Sequence, residues 1–200
     1  MVRSCRLAAL GAWAAMASAV YADGLVVLVV GPPGSGRTTQ ANLLGKELKL
    51  PVVAADDLIK RNPEVFRQKR SPSDARPDPR LDDAMNQVVA AVLATSDLSK
   101  GLVLDGYPAT KAHGEYLQSL RKKFNLPRAI LVNLNVPDDV VRKRLKSLNR
   151  DIDQELKDYH REFDFLRSYF PEADVRSVDA TQKPDVVARE IRKLLAETAK

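Results

Sequence analysis

Cysteine and histidine are scarce in this 200-residue sequence: Cys5 is the only cysteine, and His113 and His160 are the only histidines. Cys5 falls in an N-terminal segment expected to be removed, so the mature chain would hold no disulfide and cysteine usage does not test the compartment. Neither histidine stands in a nucleophile or metal-ligand pattern, which leaves no second active site of that kind. Long apolar runs are missing as well, since residues 7–17 are uncharged but too short for a comfortable membrane span. There is no internal repeat and no low-complexity tract. Net charge is only +6, and +4 without Arg3 and Arg6, too mild and too evenly spread to argue for nucleic acid. With 44% hydrophobic and 29% charged residues, the composition suits one globular domain with a sizeable core.

The first residues have a pattern of their own. Arg3 and Arg6 precede the apolar stretch 7–17, and small residues at 18–22 offer cleavage after Ala19 or Ala22. This reads as a secretory signal over residues 1–22, and the expectation is a secreted or periplasmic protein. A mitochondrial presequence, an uncleaved anchor and a cytoplasmic chain with a misassigned start are the alternatives. After cleavage no stable membrane insertion is expected.

The most informative stretch follows. Residues 25–30 (Leu-Val-Val-Leu-Val-Val) form a short β-branched run, the signature of a strand buried on both faces. Then come Gly31-Pro-Pro-Gly34-Ser35-Gly36-Arg37-Thr38-Thr39, and a helical pattern over 38–49 carrying Leu43, Leu44 and Leu48. Strand, glycine loop and helix together make an anion cradle: the glycines let backbone N–H groups turn inward, and the helix N-terminus adds its positive dipole end. The spacing is that of a phosphate-binding loop with Arg37 where the pattern has Lys. Arg can pair with phosphate through two parallel bonds, but its planar head does not fit the compact place of an ammonium. Thr38 is in the position of a Mg²⁺ ligand.

Farther on, strands are expected at 51–54, 102–104, 129–135 and 175–178. Helices are expected at 57–61, 81–94, 111–124, 137–148, 155–170 and 185–196. Residues 60–80 are Pro-rich and basic, with seven Lys/Arg against three acids, and read as an irregular, exposed insertion. This alternation predicts an α/β fold: a central five-stranded parallel sheet with helices on both faces. Its crevice lies at the carboxyl ends of the strands, where 31–38, 56–60 and 105–108 converge.

Four segments in this order resemble the adenylate kinase type of nucleoside monophosphate kinase: 31–40, Asp57-Leu-Ile-Lys60, Asp105-Gly-Tyr107-Pro108, and Val136-Pro-Asp-Asp with Arg144-Leu145. The resemblance covers nearly all of residues 25–200. It implies a P-loop three-layer domain over 23–200, with an acceptor-side insertion at 55–95 and a short lid at 149–155. It further implies ATP and Mg²⁺ as cofactors, and transfer of the γ-phosphoryl group to a nucleoside monophosphate or a related phosphorylated or hydroxyl acceptor. A monomer without nucleic-acid partners is expected.

By that resemblance Gly31, Gly34, Ser35, Gly36, Arg37, Thr38 and Thr39 hold the donor phosphates. Arg144 packs on the donor base, Arg150 serves the lid, and Thr38 with Asp105 holds the metal. Asp57, Lys60, Tyr107 and His113 face the acceptor. Arg37, Lys60 and Arg150 are the candidates for catalysis, because phosphoryl transfer depends on positioning and on neutralising negative charge. The chain departs from the family pattern on the acceptor side, with Lys60 and Ala109 where arginines stand and His113 where a glutamine stands. Arg161 and Glu155 compete for the place of a second lid arginine. Asp56 and Asp57 read equally as helix caps, and Arg67, Arg70, Arg76 and Arg80 either form a solvated basic loop or replace the lost clamps. Two further readings stay open: a kinase-like nucleotide- or anion-binding module without turnover, and a P-loop kinase of another small molecule.

Overall fold

The computed structural model describes residues 24–67, 79–148 and 150–197. The expected signal segment, Arg70 and Arg76 lie outside them. Five parallel strands form one sheet in the order β2-β3-β1-β4-β5, with β1 Leu25–Val30, β2 Val52–Ala54, β3 Gly101–Asp105, β4 Ala129–Asn135 and β5 Val175–Asp179. β1 is buried along its whole length. Its Val26, Leu28 and Val30 face one apolar cluster while Leu25, Val27 and Val29 face the other, as the period of a pleated strand requires. The first cluster is closed by α4 (Pro79–Thr95) and α5 (Lys111–Lys123), the second by α1 (Arg37–Leu48), α6 (Asp138–Leu145) and α8 (Pro184–Glu197).

Local chemistry moved several boundaries. α7 spans Ile152–Arg167 rather than 155–170, because the Asp151 carboxylate accepts a hydrogen bond from the Gln154 N–H (3.0 Å) and starts the helix three residues early. Pro137 stands at the cap before α6 instead of in its first turn.

Of the stretch 60–80, residues 60–61, 63–67 and 79–80 are helical, and 68–78 lie outside the described residues. α2 covers Ala55–Arg61, and Asn62 Nδ2 donates to the Leu58 carbonyl (2.9 Å) at its end. α3, Pro63–Arg67, then folds Phe66 into the core, where it is 7% exposed. Burial of one phenyl ring is enough to order a short basic segment against the domain. Arg67 pairs with Glu64 at 3.1 Å on the surface, and Arg80 belongs to α4.

Candidate functional site

Strand order builds the site. β3 lies between β2 and β1, with Asp105 in register with Val29 on one side and Ala54 on the other. The residues that follow these three strands, the glycine loop, the first turn of α2 and the 105–109 turn, therefore share one end of the sheet. Gly106 N–H donates to the Val29 carbonyl (3.3 Å) and ties the turn to the strand before the loop.

Within the loop, Gly34 (φ 71°) and Gly36 (φ 90°) adopt left-handed backbone that a side chain disfavours, and Gly36 is the N-cap of α1. Gly31 is needed for another reason, since a Cβ there would stand 2.7 Å from Ser35 Oγ. That hydroxyl is buried and has no hydrogen-bond partner among the described residues. A buried hydroxyl left unpaired in a glycine loop marks a place for an oxyanion or its water. Thr38 and Thr39 are exposed in the first turn of α1.

Asp105 is 5% exposed, and burial raises its carboxyl above the ordinary value, against the opposing pull of a Thr38 hydrogen bond and the Arg37 charge. Asp56 and Asp57 push in the same direction as burial. The Thr38 hydroxyl and the Asp105 carboxylate are hard oxygen donors held side by side. They suit Mg²⁺ shared with nucleotide phosphates, and among the described residues no cluster of three acidic, His or Cys side chains forms an all-protein metal cage.

Other expected residues sit differently. Asp57 and Lys60 are exposed and 3.6 Å apart on α2. Neither Asp56 nor Asp57 caps that helix, whose N-cap is Ala54; they lie in its first turn, where the dipole favours acids. Tyr107 precedes a cis proline, is 1% exposed, and donates its hydroxyl to Asn86 Oδ1 (2.8 Å). Its ring is a core element, and it reaches an acceptor only by shaping the turn.

His113 is also internal, because Thr110 caps α5 and turns the first helical turn inward. Its Nδ1 accepts from the Ala109 N–H (3.3 Å), and its Nε2 lies 3.3 Å from Asp82 Oδ1 without a hydrogen bond to it. Burial pushes the imidazole down to about 4. The Asp82 backbone pulls the other way, and burial prevails.

Arg144 is held by the edges of its guanidinium. Its Nη1 donates to the Gly34 carbonyl (3.0 Å), and its Nη2 donates to the carbonyls of Ala180 (3.0 Å) and Thr181 (3.4 Å). Arg150 is engaged by both carboxylate oxygens of Glu155, and Arg161 by Asp158 (2.9 Å) and Glu162 (3.1 Å). Of the two competitors for a second lid arginine, Glu155 thus acts as Arg150's partner. His160 pairs with Asp138 at 2.9 Å on the surface.

Sequence reasoning missed Tyr159. It lines a cavity of about 30 Å³ with Gly31, Arg37, Pro108 and Ala109. Its hydroxyl donates to Asn133 Oδ1 (2.7 Å), and burial raises the phenol well above its usual value. Leu156, Tyr159, Phe163 and Leu166 make a helical stripe, and the one polar tip in that stripe was the available signal. A larger cavity, about 400 Å³, lies between the end of α7 and β5 and contains none of the loop residues.

A family model described as an AAA domain matches residues 30–158. The chain is 32% identical over 185 residues to an adenylate kinase of Clavibacter michiganensis subsp. michiganensis, covering 85% of this chain and 92% of that protein. It belongs to the adenylate kinase family. Two further adenylate kinases, from Anaeromyxobacter dehalogenans and Bartonella quintana, are 32% and 33% identical over 125 and 124 residues. Against those two the matched part spans 58% and 64% of the relatives' lengths, under two thirds. In this adenylate kinase family member the glycine loop, Thr38 and Asp105 come together at one end of the sheet, whereas the arginines at 144, 150 and 161 are all held by groups of the chain itself.

Proposed function

We propose that the protein is a nucleotide-binding phosphotransferase that moves the γ-phosphoryl group of ATP to a nucleoside monophosphate. The observation that carries this is the Thr38–Asp105 pair beside a loop whose Ser35 hydroxyl is buried and unpaired. Loop N–H groups and Arg37 bind the donor phosphates, and Lys60 approaches the acceptor from α2. Mg²⁺, held by Thr38 and Asp105, supplies neutralising charge on the phosphates when bound. Pro108, Ala109, Tyr159 and Phe163 wall the loop on its inner side and keep water from the phosphates.

The test uses the full chain with ATP, Mg²⁺ and a panel of nucleoside monophosphates, following ADP formation and, separately, ATP binding. Turnover that depends on Mg²⁺ and on one monophosphate supports the reading. Absence of ATP binding sinks it.

A second reading, a nucleotide- or anion-binding module without turnover, draws on Ala109 and on the engagement of Arg150 by Glu155. Tight ATP binding with no ADP formation for any monophosphate would favour it. We further infer that residues 1–22 direct export, which fractionation of cells expressing the tagged chain would test: a tag found only in the cytoplasm contradicts it.

A further inference from the structure

Arg37 is the first residue of α1, yet its side chain leaves the loop it belongs to. Nη1 and Cζ lie 3.5 Å and 3.8 Å from the point where a Cβ on Gly106 would stand. The same side chain borders the small cavity whose other walls are Gly31, Pro108 and Ala109. The guanidinium thus fills the gap between the phosphate loop and the 106–109 turn. No hydrogen bond or ion pair holds Arg37 among the described residues. The arginines around it differ in this respect, for Arg144 is bound to three carbonyls and Arg150 and Arg161 to carboxylates.

A guanidinium has two edges, each able to make paired N–H bonds to a phosphate, where an ammonium is a single point charge. Ala109 presents only a methyl group to this gap, and Lys60 is exposed at the rim beside Asp57. Arg37 therefore brings a cation to this turn from the start of the helix.

We propose that Arg37 clamps both substrates, one edge of its guanidinium taking a donor phosphate at the loop and the other the phosphate of an acceptor seated against residues 106–109. The inference rests on the phosphotransferase reading and deepens it: the residue that starts α1 serves the acceptor's phosphate as well as the donor's. Arg37 then sets acceptor specificity as well as donor binding.

The experiment measures affinities of the full chain for ATP, adenosine monophosphate and adenosine, in the parent and in Arg37→Lys, Ala109→Arg and the double variant. Arg37→Lys, which keeps a donor charge, is expected to weaken monophosphate binding about tenfold and ATP binding less. Adding Ala109→Arg to it restores monophosphate binding to within about threefold of the parent. The proposal is overturned if Arg37→Lys leaves monophosphate affinity unchanged, or if the folded double variant restores nothing.

Should Ala109→Arg fail to fold, Arg37→Met decides the matter. Its ratio of affinities for adenosine monophosphate and adenosine falls toward one if the clamp exists, and an unchanged ratio refutes it. A parent that binds ATP but no monophosphate refutes this inference alone, whereas a parent that binds no ATP removes the phosphotransferase reading too.

Discussion

The Thr38 side chain and the Asp105 carboxylate interact, bringing the first turn of α1 against the end of β3. The carboxylate is buried, and burial raises its pKa above that of the unfolded chain. A raised acid binds its proton more tightly when folded, so its contribution to stability is present at low pH and is lost as pH rises through the folded value. Above that value the ionised group opposes folding. Asp105→Asn keeps an acceptor for Thr38 and removes that charge. We expect its thermal midpoint to rise by about 2–4 °C for each kcal/mol relieved, while Mg²⁺-dependent ATP affinity falls about tenfold. Thermal melts with and without Mg²⁺–ATP check both halves, and a variant that melts lower and binds normally contradicts them.

Arg144→Ala leaves the carbonyls of Gly34, Ala180 and Thr181 without their donor. A loss of about 1–2 kcal/mol in urea denaturation is expected, since a charged donor serves three acceptors at a largely exposed site. ATP affinity should fall with it, because the loop loses the strut at Gly34. An affinity loss without any loss of stability would instead point to direct contact with the nucleotide.

His113 gives a pH dependence of opposite sign. Its folded value of about 4 lies below the ordinary 6.5. The unfolded chain binds the extra proton between those values, so this stability is complete above pH 6.5 and drains as pH falls toward 4. Between pH 7 and 4.5 the parent is expected to lose about 2 kcal/mol that His113→Gln does not lose. Parallel pH–stability curves for the two proteins would disprove it.

Much of this was legible from residue types alone. The run 25–30 and the glycine spacing after it located β1, the loop and α1, because a fully buried strand and a left-handed glycine turn leave few substitutes. Residues 129–135 were bounded correctly for the same reason. What stayed hidden depended on partners distant in sequence. Phe66 looked like part of a basic loop until the core that receives it existed, and Tyr107 and His113 looked like binding residues until Asn86 and Asp82 lay beside them. Tyr159 meets Asn133 across 26 residues, a pairing no local pattern encodes. The side-chain direction of Arg37 likewise follows from the placement of Gly106, not from the loop's own spacing.

Lys60 tests the acceptor side from the surface. Its ion pair with Asp57 is long and exposed, so Lys60→Ala should change stability by less than about 0.5 kcal/mol. If Lys60 approaches the acceptor phosphate, the KM for the monophosphate rises several-fold and that for ATP stays level. Equal changes in both KM values would remove Lys60 from the acceptor side.

Gly34 has one more neighbour of consequence. A Cβ on it would stand 3.0 Å from Leu145, and Arg144, the residue before, already grips its carbonyl. Both belong to the last turn of α6, which leads directly into the segment bearing Arg150. The loop therefore cannot change shape without displacing that helix end. The loop and the segment bearing Arg150 are two ends of one short lever, with α6 as its arm.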